Sequence, residues 1–126
     1  MKQGKIIPNG VSLEKHENDT VIYFTNLGYN IELIPTSHIP HHHTPDFKML
    51  NEEWEAKSPK SAKKSTLEHT FQDALKQSPN IIIDLRRSKD NYYGTTARIE
   101  KIFRNSKRAQ KLKIITKSGK LLEFQK

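Results

Sequence analysis

The sequence contains no cysteine, so neither a disulfide framework nor a thiolate zinc site is open to it. That fits a reducing compartment. No apolar run approaches the roughly 20 residues that span a bilayer. The first ten residues, MKQGKIIPNG, lack the apolar segment of a secretory signal. Hydrophobic residues are scarce, at 33% of 126. A chain of this length can bury one modest core, and the rest of its surface must be charged. A single domain over residues 1–126 is expected, with 1–10 as a flexible lead-in. There is no internal repeat and no low-complexity tract.

Positive charge is plentiful, and it is unevenly placed. Residues 81–126 hold 13 Lys/Arg against 4 Asp/Glu, whereas residues 1–80 hold 9 against 10. The net +8 is therefore a property of the C-terminal third. Such an asymmetry points to a polyanion, most often nucleic acid; a solvated basic surface is the plain alternative.

The segment SLEKHENDTVIYFTNLG reads as a helix stopped by Gly28. YNIELI (29–34) alternates as a strand. PTSHIPHHHTP, with three prolines, must be a loop. DFKML and EWEAK follow as short strands. Ser65 and Glu68 have the spacing of a capping box that opens a second helix, with Leu67, Phe71, Ala74 and Leu75 on one face. NIIIDL (80–85) is the continuous apolar run of a strand covered on both faces. TTARIEKIFRNSKRAQ reads as a third helix with Ile99, Ile102 and Phe103 inward. KLKIIT and LLEF, joined by KSGK, close the chain as a hairpin. The expected order is αβββαβαββ, an α+β fold with a mixed central sheet flanked by helices.

The stretch TPDFKMLNEEWEAKSPKS (44–61) carries the chemistry. A turn centred on Asn51-Glu52 would set Met49 against Trp54, Lys48 against Glu55, Phe47 against Ala56 and Asp46 against Lys57. Opposed residues share a face and faces alternate. One face then collects Phe47, Met49, Trp54 and Ala56; the other collects Asp46, Lys48, Glu55 and Lys57. Glu55 lies diagonal to Asp46, within roughly 7–8 Å between Cβ atoms. Two carboxylates so placed can converge on one hard cation. Magnesium takes one or two carboxylates and fills its remaining positions with water and phosphate. Lys57, on the same side, can orient the water or steady developing negative charge. The plain alternative is a solvated hairpin face with cross-strand ion pairs.

Pro45-Asp46 followed by Glu55-Ala56-Lys57 resembles the signature of the PD-(D/E)XK nuclease superfamily, whose core is a helix, three strands, a helix and a strand. The wider stretch from about residue 12 to 90, including GYNIELIP, TPDFKML, WEAKSPKS and STLEHTFQDALKQSPNIIIDLRRSK, resembles the toxin-tip domains of CdiA-type contact-dependent growth inhibition proteins. Among these it is most similar to the tRNA nuclease class. The resemblance implies a metal-dependent endonuclease toxin that acts in the cytoplasm of a bacterial target cell, secreted on its own or, as an excised C-terminal domain, delivered as part of a larger toxin, with a cognate immunity protein as partner. It makes Asp46 and Glu55 ligands of Mg2+, or another divalent cation such as Mn2+, and Lys57 the catalytic lysine. The Ala56 carbonyl could add a main-chain ligand. Superfamily members often use a further acid from the first helix; Glu17 is the choice here, because Val21 and Phe24 set it on the buried side, with Glu14 as alternate.

Other residues could meet substrate. Lys60, Lys63 and Lys64 stand before a helix N-terminus, a place suited to phosphate. Arg86 and Arg87 end the apolar strand, and arginine forks match phosphate. Tyr92 and Tyr93 could stack on a base. His41, His42 and His43 adjoin one another, so their side chains diverge; contact with phosphate when protonated suits them better than a metal. Gln72 and Gln77 lie on the polar face of the second helix, with His69 a weaker candidate. The basic face of the third helix could track phosphates or dock an acidic immunity protein. Two further functions compete: a DNA endonuclease with the same site, and a non-catalytic nucleic-acid-binding module.

Overall fold

The computed structural model describes residues 2–36, 44–90 and 92–126. In chain order the elements are β1 (Ile6–Ile7), α1 (Lys15–Asn26), β2 (Ile31–Leu33), β3 (Phe47–Met49), β4 (Glu52–Lys57), α2 (Lys64–Leu75), β5 (Asn80–Asp84), α3 (Thr95–Asn105), β6 (Lys111–Ile115) and β7 (Leu121–Gln125). All seven strands lie in one mixed sheet, in sequence order. The pairs β2–β3, β3–β4 and β6–β7 are antiparallel, and β4–β5, β5–β6 and β1–β2 are parallel. Parallel neighbours need long crossovers; α2 supplies the one from β4 to β5, and α3 the one from β5 to β6.

The sheet divides the core in two. On one face Leu67 and Phe71 of α2 and Ile99 and Phe103 of α3 cover Ile81, Ile83, Leu112 and Ile114. On the other, Val21 and Phe24 of α1 cover Ile31, Phe47, Trp54, Ile82 and Ile115. Every residue of β5 is buried, as its unbroken apolar run requires. In α3, Ile99 and Phe103 are buried and Ile102 packs beside them, so the amphipathic stripe falls where its period puts it. The helix ends at Asn105 rather than running on to residue 110.

Three further expectations change. The lead-in carries a strand: β1 pairs with β2, the Gly4 N–H donates to the Thr25 carbonyl at 2.8 Å, and the Ile31 N–H donates to the Lys5 carbonyl at 2.9 Å. The approach is so close that a Cβ at Gly4 would stand 1.8 Å from the Tyr29 carbonyl oxygen. The β3–β4 turn is Leu50-Asn51, not Asn51-Glu52. Both residues have positive φ, 57° and 63°, as a two-residue turn matched to strand twist demands. Phe47 therefore pairs with Trp54, Lys48 with Glu53 and Met49 with Glu52. The slip is two residues, so it preserves which side chains share a face. Finally, α2 has Lys63 as its N-cap, with no side-chain cap, and Ser65 lies inside its first turn. Its start is fixed by tertiary contact: the Asp90 carboxylate accepts the Ser61 hydroxyl at 2.8 Å and the Ala62 N–H at 3.0 Å. The Ser61 hydroxyl is the chief cause that holds Asp90 below its ordinary range, with the Ala62 N–H second.

Candidate active site

The site forms where β3 leaves β4. The first half of β4 pairs with β3, and residues 55–57 pair with β5. Beyond the last ladder pair, Asp46 turns into the fork. Its N–H donates to the Trp54 carbonyl at 3.0 Å, and its Oδ2 accepts the Ala56 N–H at 2.9 Å. Asp46 thus leaves the ladder one residue past the Phe47–Trp54 pair, and its carboxyl neighbours that of Glu55.

Glu55 is not on an open face. It shares a side with Ile81, beneath α2, and is only 5% exposed. Its Oε2 lies 3.5 Å from the Lys57 Nζ. Its Oε1 is buried and has no hydrogen-bond partner among the described residues. Burial pushes the Glu55 carboxyl up to about 8, and the neighbouring Asp46 carboxylate adds to the rise; the Lys57 ammonium only partly offsets it. Asp46 is also raised, first by burial, with the Ala56 N–H opposing and the Glu17 charge adding.

These groups line one cavity of about 230 Å³ between α1 and the fork. Asp46, Glu55, Ala56, Lys57, Glu17 and Arg87 all reach it, and so do His16, Thr20 and Ser58. Glu17 sits in the first turn of α1, where its Oε1 accepts the Glu14 N–H at 3.0 Å. The ligand atoms of Glu14, His16 and Glu17 lie within 4.8 Å of one another. Glu17 thus faces the Asp46/Glu55 pair across the cavity while tied to its own helix start. Lys60, Lys63 and Lys64 do not line the cavity. Lys63 and Lys64 are exposed at the start of α2, where Lys64 pairs with Glu68 at 4.0 Å. Tyr92 and Tyr93 are exposed before α3. Gln72 and His69 are exposed on α2, outside the cavity, and Gln77 is half-buried just past its end. The His41–His43 run lies outside the described residues.

The two adjacent arginines differ. The Arg86 Nε and Nη2 clasp the Asp84 carboxylate at 3.0 and 2.8 Å, and its Nη2 also reaches the Asp19 carbonyl. Its guanidinium lies 4.9 Å from the Tyr23 ring centre. Asp84 raises the Arg86 value, and burial raises Tyr23. The Thr20 hydroxyl donates to the same carboxylate at 2.7 Å. Arg87 is exposed and, among the described residues, holds the Ser58 carbonyl alone, through Nε at 2.6 Å. His16, Thr20, Ser58 and Asp84 escaped the sequence reading. Thr20 stands three residues after Glu17, on the same helical face, which was a usable signal. An acid closing an apolar strand, Asp84, was another.

The donors at the fork itself, the Asp46 and Glu55 carboxyls and the Ala56 carbonyl, are hard oxygens, with His16 and Glu17 across the cavity, and one buried carboxylate oxygen has no partner among the described residues. That fits Mg2+ or Mn2+ and not a soft metal.

The fold is similar to a chain in the CdiA-CT/CdiI toxin and immunity complex from Burkholderia pseudomallei, with a TM-score of 0.74 at 17% identity over 98% of this chain and 100% of that one. In sequence, residues 43–121 match the family described as the contact-dependent growth inhibition CdiA C-terminal domain, and the chain belongs to that family. A search of curated proteins returned no match.

Proposed function

We propose that the chain is a divalent-metal-dependent nuclease toxin of the PD-(D/E)XK type that hydrolyses phosphodiester bonds in RNA, with tRNA as its substrate. The observation that carries this reading is the buried Oε1 of Glu55, without a hydrogen-bond partner among the described residues and beside the Asp46 carboxyl. A carboxylate left so is costly in a folded protein. A cation shared with Asp46 removes the cost.

Asp46 and Glu55, with the Ala56 carbonyl, would hold Mg2+ or Mn2+. Bound there, the ion polarises a phosphate and lowers the pKa of its water. The Lys57 ammonium, beside Glu55, favours the ionised carboxylate and supplies charge to the phosphorane as water attacks. Glu17 faces the same space and can orient that water. The basic C-terminal third supplies the field that gathers a polyanion. Family membership sets the action in contact-dependent growth inhibition. We take the toxin to reach a target cell's cytoplasm as part of a larger protein, and an immunity protein to restrain it in the producer.

Asp46→Ala should abolish cleavage of purified tRNA and toxicity in cells while circular dichroism shows an unchanged fold. Toxicity that survives the change ends the proposal. Parallel digestion of tRNA and duplex DNA, with and without magnesium, separates RNA cleavage from the DNA-cutting alternative. Salt-sensitive binding with no turnover, indifferent to chelator, would instead mark a non-catalytic binding module.

A further inference from the structure

A second groove, of about 410 Å³, adjoins the catalytic cavity and shares His16, Ser58 and Arg87 with it. It runs along α1 past Ile22, Asn26 and Leu27. The cavity by itself measures about 230 Å³. That is below the roughly 300–1,000 Å³ of ordinary small-molecule sites. It has room for a phosphate and its ligands, but the attached sugar and base must lie elsewhere. Among the described cavities, this groove shares a wall with it.

We infer that the groove is a subsite for the nucleotide next to the scissile phosphate, entered by a single polynucleotide strand that passes over His16 and Arg87. The inference rests on the nuclease reading above and extends it. Arg87, exposed and held at one nitrogen, stands on the boundary with its fork available to the adjoining phosphate. The base would lie on the apolar strip of Ile22 and Leu27, the latter 37% exposed. The Tyr23 ring is a wall rather than a stacking platform, because Arg86 covers it and its hydroxyl donates to the Gly119 carbonyl. The Asn26 amide oxygen accepts from Gln3, and its NH2, with no partner among the described residues, can donate to a base edge. Asp19 also lines the groove, and Lys15 at 3.0 Å offsets its charge.

The test uses a fluorescein-labelled single-stranded RNA hexanucleotide in chelator, so binding is read by anisotropy without turnover. Leu27→Glu puts a carboxylate in the strip, at an exposed position that can accept it. Leu50→Glu makes the same change on an exposed leucine of the β3–β4 turn, outside both the cavity and the groove. Leu27→Glu should weaken binding about tenfold, the scale of one lost base contact, and Leu50→Glu less than twofold. Equal effects from the two, or none from Leu27→Glu, overturn the subsite. Failure of the nuclease reading shows separately, as tRNA that Asp46→Ala cuts as well as wild type or that neither protein cuts. If Leu27→Glu melts well below wild type, Asn26→Asp replaces it, with the same tenfold loss expected and the same outcomes deciding.

Discussion

Two buried acids stand on neighbouring strands, and the protein treats them in opposite ways. Asp84, at the end of β5, is met by a bidentate arginine, a threonine hydroxyl and the Arg86 N–H at 3.1 Å. Glu55, on β4, is met by one ammonium at 3.5 Å and by the neighbouring Asp46 carboxyl, and its Oε1 has no hydrogen-bond partner among the described residues. Both side chains are nearly inaccessible, at 5% and 7% exposure. Burial is therefore not what separates them; satisfaction is. A fold that completes the shell of Asp84 on the neighbouring strand had the means to complete that of Glu55. The difference marks Asp84 as a strut between α1 and the sheet, and Glu55 as a group whose last partner comes from outside the chain.

The largest effect should come from removing the unsatisfied acid's function. Glu55→Gln should lower tRNA cleavage by at least about a hundredfold, since the ionised ligand is lost. The strut should answer the other way. Asp84→Ala should cost about 2 kcal/mol in chemical denaturation, because it strands the Arg86 guanidinium; the loss stays below that of a fully buried pair since Arg86 is partly exposed. An Asp84→Ala protein as stable as wild type would erase the contrast.

The pH dependence sharpens it further. The Glu55 carboxyl, raised to about 8 in the folded protein, keeps a proton that the unfolded chain releases near 4.5. The stability tied to that proton is full below pH 4.5 and drains away as pH climbs toward 8. Glu55→Gln should remove this slope. At pH 8 and without metal its Tm should exceed that of wild type by a few degrees, corresponding to about 1 kcal/mol. A variant both more stable and inactive is the signature of a ligand position. The smallest effect belongs to Arg87. Arg87→Ala should reduce the salt slope of RNA binding by about one unit with little change in Tm, whereas Arg86→Ala should lower Tm through the lost Asp84 clasp.

Much of this fold is written in local pattern. The unbroken apolar run of β5, the stripe of α3 and the Ser-Gly turn before β7 each announce their element. What escaped depends on distant partners. Ile6 and Ile7 are too few to show a period, and they become a strand only because β2 offers a free edge. Leu50 in a left-handed turn has no sequence signal, so the turn falls one residue earlier than expected and the pairing slips by two. Lys63 begins α2 because Asp90, almost thirty residues on, holds the preceding chain. At the site, Asp46, Glu55 and Lys57 could be read as a cluster from strand parity alone, which the two-residue slip leaves intact. The burial of Glu55 could not, because it requires α2 to close over a face that looked solvated. Nor could the contrast between Arg86 and Arg87, adjacent in sequence yet divided by what Asp84 takes.

The most direct test is a Mn2+ titration of the wild type and Glu55→Gln at pH 7.5, with free Mn2+ read by electron paramagnetic resonance. One ion should bind the wild type, and binding should be lost or at least about tenfold weaker in Glu55→Gln. Equal binding by both proteins, or none by wild type, would contradict the claim that the open oxygen of Glu55 awaits a cation.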